Sequence, residues 1–275
     1  MSDTPPIVLT FSATDPSGGA GLQADILTIS SMGCHALSAV TAITVQDSAG
    51  VEDVLCLDAE WVTDQARRVL EDAHVSVFKI GLLPSVEIVA AVAEIVSDYP
   101  DIPLILDPVL SSGRGDPLVG ENVIEALREL LLPQTTVLTP NSLEARRLAF
   151  DENEDDADAS LAQCARRLVE LGCDYVLITG THENTQQVIN TLYDQSGVIR
   201  SDAWERLPGS YHGSGCTMAS ALAAALANGI DVQDAVRDAQ EFTWQSLHGA
   251  YRAGMGQLIP DRLFWARDDD AAAID

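Results

Sequence analysis

Apolar residues fall along this chain in short continuous runs, and between the runs lie stretches whose apolar positions recur at three and four residues. Continuous runs suit strands buried on both faces, and the intervening helical period suits helices packed over them. The alternation predicts an α/β fold: a mostly parallel central sheet, helices on both faces, and a small flap or hairpin at an edge. Residues 7–13 form the first run, TDPSGGAG at 14–21 breaks it, and 22–32 continue with helical spacing. A strand, a glycine turn and a helix in that order open a doubly wound sheet. Residues 36–45 read as a second strand ending in Gln46-Asp47, and 51–57 as a short, partly exposed one, so that 36–57 would form a flap beside the main sheet.

Further along, Asp58 is expected to cap a helix to residue 73 with Trp61, Val62, Ala66, Val69 and Leu70 on one face. Strands are expected at 75–81, 103–107, 136–138 and 175–179, and helices at 84–99 from Pro84, 121–131, 160–171 and 231–248. Residues 188–193 and 198–202, around Asp194-Gln195-Ser196-Gly197, read as an antiparallel hairpin at the sheet edge. No repeat and no linker divides the chain, which predicts one domain over 1–275 with a flexible acidic tail at 262–275.

Composition narrows the partners. The chain has 275 residues, 47% of them hydrophobic, with no window apolar over the length of a membrane span and no basic, apolar leader in residues 1–15. This predicts a soluble cytoplasmic protein. Fifteen basic against 42 acidic residues give a net charge of −27, and Lys79 is the only lysine. Such a surface repels nucleic acid and anionic lipid, so neither is expected as a partner. It also repels nucleotides at long range, so a nucleotide site must rely on local dipoles, a metal and arginine. The acidity itself reads as a solvated surface suited to a salty cytoplasm. Cys34, Cys56, Cys164, Cys173 and Cys216 show no CxxC spacing and read as reduced thiols.

Candidate chemistry lies at the breaks. In GSYHGSGCTMASALAAALANG, residues 209–229, Gly213-Ser214-Gly215 feed a helix start, where unpaired amides and the helix dipole favour an anion. Cys216, in the first turn, would be held toward its thiolate by the same field; the alternative is a buried small-residue helix with a core cysteine. Asp15 and Gly18-Gly19 fall beyond the end of the first strand, where ligands bind, although the turn lacks both GxGxxG and the P-loop lysine. Asp107-Pro108 closes another strand, and Asp107 is placed to hold a metal or its waters, or simply to form a turn. The loop at 111–116 suits a cover over phosphate, with Arg114 on the polyphosphate or in solvent. Asn141 and Glu144, three apart at a helix start, could hold water and Mg²⁺, and equally form a capping box, which the spacing favours. DENEDDAD at 151–158 reads as a solvated acidic loop, and His212 as packing in its turn or tuning Cys216.

Taken in order, TDPSGGAGLQAD at 14–25, TVQDS at 44–48, KIGLL at 79–83, LDPV at 106–109, SGRGDPL at 112–118, LTPNSLEA at 138–145 and HGSGCT at 212–217 resemble the hydroxymethylpyrimidine/phosphomethylpyrimidine kinases of the ribokinase superfamily. The resemblance runs from about residue 7 to the last helix. It implies a ribokinase-like fold, ATP and Mg²⁺ as cofactors, and transfer of the γ-phosphoryl to 4-amino-5-hydroxymethyl-2-methylpyrimidine and then to its monophosphate, in thiamine biosynthesis. It implies a pyrimidine site at Ala13, Asp15, Gly19, Gln46, Leu82 and Val109. Asn141, Glu144, Arg114 and Thr179 would face ATP phosphates, Asp107 and Glu144 would serve the metal, the latter through water, and Gly213, Ser214, Gly215 and Cys216 would form the anion hole with Cys216 accepting the hydroxymethyl proton. A homodimer is implied as well.

The chain departs from the family's common residues at three points. Ala13 stands where many members have glycine, Leu82 where they have methionine, and Thr179 where they have lysine. The first two reshape the ring pocket. The third removes a phosphate-directed cation, for which Lys79 or Arg114 would have to compensate. The alternatives left by the sequence are a pyridoxal kinase of the same superfamily and a catalytically weak pyrimidine binder.

Overall fold

The computed structural model describes residues 4–113, 115–150 and 159–267. The chain begins β1 (Ile7–Ser12), α1 (Gly21–Ser31) and β2 (His35–Val40), then turns aside into the hairpin β3 (Ala42–Gln46) and β4 (Val51–Cys56). It returns through α2 (Ala59–Leu70), β5 (Val77–Ile80), α3 (Val86–Ser97), β6 (Leu104–Leu106), α4 (Glu121–Ala126), β7 (Val137–Leu138), α5 (Ser142–Ala149), α6 (Leu161–Glu170) and β8 (Tyr175–Ile178). β9 (Gln187–Asp194), β10 (Gly197–Glu205), α7 (Ser214–Ala227) and α8 (Val232–His248) complete it.

Among the described residues eight strands form one sheet in the order β10-β9-β8-β7-β6-β5-β1-β2. β2 to β8 pair in parallel, and β9 and β10 are added antiparallel at one edge. The helices lie on both faces. Leu9, Phe11, Phe78 and Ile80 join the core under α2 to α6, while their alternates Val8 and Val77 join the one under α1, α7 and α8. The α/β architecture, the edge hairpin and the detached flap are therefore as the alternation predicts.

Several boundaries differ, each for a local reason. Residues 36–45 are two strands, because the chain changes partner at Thr41: its amide makes the last bond to β1, donating to Ser12 O at 3.0 Å, its hydroxyl donates to Leu82 O at 2.7 Å, and from Ala42 on the pairing is with β4. Only β3 and β4 belong to the flap. Asp58 holds the N-cap position of α2 without a side-chain cap, whereas α3 starts two residues after Pro84, at Val86, with Ser85 as its N-cap, whose hydroxyl accepts from Ile88 N. The expected tail at 262–275 is packed at its start. Arg262 is 3% exposed, and a 3₁₀ turn follows at Phe264–Ala266. The rest of that segment, 268–275, and the acidic run 151–158 lie outside the described residues. No helix of the described residues is long and apolar enough to cross a membrane.

Period two sends Lys79 to the same side as Val77, under α1 and α7, where it is fully buried. Burial opposes the ammonium charge, yet the Asp25 carboxylate holds its pKa above the usual lysine value. Nζ lies 2.9 and 3.0 Å from the two Asp25 oxygens, and Asp25 also accepts from Thr10 Oγ1 at 2.7 Å and Ser220 Oγ at 2.8 Å. One buried pair thus joins β1, α1, β5 and α7. Removing one partner strands the other charge, which typically costs about 3–5 kcal/mol. Lys79→Met should lose stability on this scale in urea unfolding at neutral pH, and adding Asp25→Asn should recover a large part. A double variant no more stable than the single one would show that the pair does not carry this load.

Candidate active site

Two glycine turns meet at the carboxyl ends of β1 and β5. In the first, the buried Asp15 carboxylate accepts from Ser17 N at 2.8 Å, Ser17 Oγ at 3.0 Å and Ala20 N at 2.7 Å, and His212 Nε2 lies 2.8 Å from Oδ2. Burial works against its charge, but these partners, His212 first, hold its pKa below the usual carboxylate range. In this structure the Asp15 carboxylate is engaged in building the turn. Gly19 packs against the next turn: a Cβ there would collide with the His212 ring and come within 2.8 Å of Ile259 Cδ1.

The second turn places Gly213 at the N-cap of α7 with φ 77, a left-handed conformation that favours glycine. A Cβ on Gly213 would overlap the carbonyl oxygen of Gly19. The two turns are packed backbone to backbone. The first amides of α7, at Ser214, Gly215 and Cys216, belong to a helix start that cannot pair them within the helix. His212 packs in this turn, as the sequence reading favoured: its ring lies over Gly19 and its amide donates to Leu258 O at 2.9 Å.

Cys216 is 9% exposed and lies beside Asp107. Burial, with the neighbouring Asp107 and Asp25 charges, pushes its thiol up to about 12 against the pull of Lys79. The thiolate expected from the helix field is thus not the resting form, because desolvation outweighs a terminal dipole at this depth. Asp107 is raised to about 6 by burial, with Lys79 opposing. Its Oδ2 has no hydrogen-bond partner and lies 3.9 Å from Lys79 Nζ. Lys79 itself is committed to Asp25 beneath Gly81, where a Cβ would come within 2.9 Å of Nζ, so it does not stand in for a phosphate-facing lysine.

Asn141 and Glu144 form the capping box of α5: Asn141 Oδ1 accepts from Leu143 N and Glu144 N, and Glu144 Oε2 from Asn141 N at 3.0 Å. Glu144 Oε1 also reaches Leu110 N at 3.4 Å. Burial and the charge of Asp107 raise its pKa to about 8. Two buried carboxyl groups, both raised by burial and one of them also by the other's charge, and one buried oxygen without a hydrogen-bond partner, are donor chemistry that suits a hard divalent cation held through water. Thr179 is joined to this edge by its backbone bridge to Asn141 and by Ser142 N donating to its carbonyl.

On the opposite side, Ala13 at the end of β1, Gln46 at the end of β3 and Leu82 beyond β5 are drawn together. Thr14 N donates to Ala42 O at 2.9 Å, Thr44 Oγ1 and Gln46 Nε2 reach Thr14 O at 2.7 and 3.5 Å, and Thr41 ties down Leu82. Val109 is half-buried two residues past Asp107. Arg114 lies outside the described residues; beside it, Ser112 and Asp116 close a tight turn, with Ser112 N donating to Asp116 O at 2.8 Å. Asp25, Ser220 and Arg262 were missed by sequence reasoning. A single lysine in an apolar strand was the one signal that a buried acid had to exist somewhere.

Apolar and amide side chains on one side, a helix N-terminus in the middle and two buried carboxyl groups on the other, at the carboxyl ends of a mostly parallel sheet, suit a small-molecule phosphotransferase of the ribokinase-like type. The chain belongs to the phosphomethylpyrimidine kinase family, whose model matches residues 15–261. It is 41% identical over 264 residues to the hydroxymethylpyrimidine/phosphomethylpyrimidine kinase of Mycobacterium tuberculosis strain H37Rv, covering 95% of each chain. Among solved structures, an ADP complex of Bacillus subtilis pyridoxal kinase superposes with a TM-score of 0.87 at 28% identity, over 96% of this chain and 100% of that one. The phosphomethylpyrimidine kinase of Clostridium difficile superposes at 0.75 with 29% identity, over 88% and 99%.

The raised Glu144 makes a signed prediction. Its carboxyl keeps a proton in the folded state that the unfolded chain releases, so the fold loses stability as pH rises from the ordinary glutamate value of 4.5 to about 8. Glu144→Gln removes that loss. In thermal melts of the ligand-free protein the variant should gain at least about 3 °C on wild type at pH 8.5 relative to pH 5; an equal difference at both pH values would contradict the assignment.

Proposed function

We propose that this chain phosphorylates the hydroxymethyl group of 4-amino-5-hydroxymethyl-2-methylpyrimidine from ATP, and then the resulting monophosphate, as its family relatives are named for doing. The observation that supports the reading is the contact of the two glycine turns, which brings the end of β1, with Gln46 bonded to Thr14, against the α7 N-terminus; Ala13, Gln46, Leu82 and Val109 would hold the ring there. Phosphoryl transfer asks a protein chiefly for alignment and charge stabilisation. The amides at Gly213 to Cys216 receive the transferring phosphoryl, with the dipole of α7 behind them. Asn141 and Thr179, joined by a backbone bridge, would serve the nucleotide side. Asp107 and Glu144 would hold Mg²⁺ through water, and the ion would neutralise phosphate charge there.

Cys216 takes the hydroxymethyl proton. Because its resting form is the thiol, it does so by passing its own proton to the neighbouring Asp107 carboxylate as the oxygen–phosphorus bond forms. A loose transition state places little demand on early deprotonation, so a high thiol pKa is compatible with turnover. A second reading, pyridoxal phosphorylation, is favoured by the superposition on the Bacillus subtilis enzyme, and pyridoxine also offers a hydroxymethyl on a six-membered nitrogen ring.

With saturating Mg²⁺-ATP, mass spectrometry should find one and then two phosphates added to the pyrimidine, and kcat/KM for it should exceed that for pyridoxine. Cys216→Ala should lower kcat by about 10²–10⁴-fold with little change in KM for ATP. Absence of phosphorylated pyrimidine sinks the proposal, and a reversed substrate preference selects pyridoxal kinase instead.

We also propose a homodimer built on the outer face of the β3–β4 hairpin, where Ile43, Val45 and Leu55 are 47%, 54% and 63% exposed and Ile43 pairs directly with Leu55. Light scattering should give twice the chain mass, and Leu55→Asp with Ile43→Asp should halve it. A monomeric wild type at micromolar concentration would refute this.

A further inference from the structure

The segment at 256–262, which has no motif, crosses the loops of the site in succession. Gly256 N donates to Ser48 Oγ at 3.1 Å and Gln257 N to Ser48 O at 2.7 Å, at the tip of the flap. Gln257 Nε2 donates to Ser210 Oγ at 2.6 Å, and Leu258 exchanges backbone bonds with Ser210 and His212 ahead of α7. Ile259 occupies the space beside Gly19. The segment ends at Arg262, whose carbonyl accepts from Ser31 Oγ at 2.6 Å.

The Arg262 guanidinium is the buried cation between the two turns. Nη1 donates to Gly18 O at 3.3 Å, Nη2 to Gly19 O at 2.5 Å, and Nε to Thr217 Oγ1 at 3.0 Å. Thr217 Oγ1 in turn donates to Gly213 O at 2.8 Å, the cap carbonyl of α7. One planar fork therefore holds both carbonyls of the first turn and, through a single hydroxyl, the start of the anion-binding helix. Arginine is the side chain whose fixed donors can span three acceptors on two elements; a lysine carries a charge but no such geometry.

We propose that Arg262 is a positioning residue for phosphoryl transfer, fixing the distance and angle between the pyrimidine-side glycine turn and the amides of α7. It touches neither substrate nor nucleotide. It acts on where the acceptor hydroxyl lies relative to the phosphoryl, and a displacement of about 1 Å between reacting groups is worth on the order of 10²-fold in rate. This inference rests on the kinase reading for its kinetic consequence, but the clamp itself is independent of which ring is bound.

The test compares wild type with Arg262→Met and Arg262→Lys by steady-state kinetics on the pyrimidine, and by amide hydrogen exchange without ligand. Arg262→Met should lower kcat/KM for the pyrimidine by roughly 10–100-fold while KM for ATP stays within about twofold. Arg262→Lys should recover less than half of that loss on a logarithmic scale. Amides at 18–21 and 214–217 should exchange faster in both variants, with those of β5 unchanged. Wild-type kinetics in folded Arg262→Met, full recovery by Arg262→Lys, or unchanged exchange at both turns would each overturn the proposal. Should Arg262→Met fail to fold, Arg262→Lys carries both measurements. Should wild type show no turnover, the kinase reading fails, and exchange at the two turns decides the clamp alone.

Discussion

The site depends on one close approach, the backbone of Gly213 against the carbonyl of Gly19. No side chain fits between them, and Gly213 must also adopt a left-handed conformation to start α7 there. Because the turns touch, the end of β1 and the start of α7 behave as one body. The proposed ring site and the α7 amides would then keep a defined separation, which an in-line transfer requires. Asp15 and His212 hold the contact from one side and Arg262 from the other, so three titratable side chains are used to shape backbone.

Charge is managed locally against a strongly acidic background. A chain with net charge −27 offers phosphate no long-range attraction. What attraction it has comes from the α7 terminus and from whatever cation the Asp107–Glu144 pair holds. The one lysine does not serve this purpose directly. It sits below the site, paired with Asp25, and its charge moderates both Asp107 and Cys216 from behind. The lysine that Thr179 replaces is thus not offset by Lys79.

The residue types that do chemistry in this site also hold it together. Glu144 completes a capping box and carries a raised pKa; Asp107 lies between Lys79 and Cys216 and keeps one oxygen without a hydrogen-bond partner. The two readings of Asn141 and Glu144, cap and cation site, are compatible, because a capping carboxylate faces the loop beyond the helix start. Burial that makes such groups costly in the ligand-free protein is what makes them responsive to a bound cation.

Apolar runs, glycine turns and capping patterns determined the α/β class, nearly every element, and the stretches at 14–21, 107–108, 141–144 and 213–216 that line the site. These are local signals, set by backbone conformation and by periodicity within a few residues. Only the tertiary structure decided what those residues face. Asp15 and Gly19 look toward His212 and Ile259, Cys216 lies too deep to rest as a thiolate, and Lys79 finds Asp25 54 positions away. Arg262, 243 positions from Gly19, closes the site from a segment with no pattern of its own. Desolvation and long-range pairing depend on which surfaces meet, and periodicity along the chain carries no record of that.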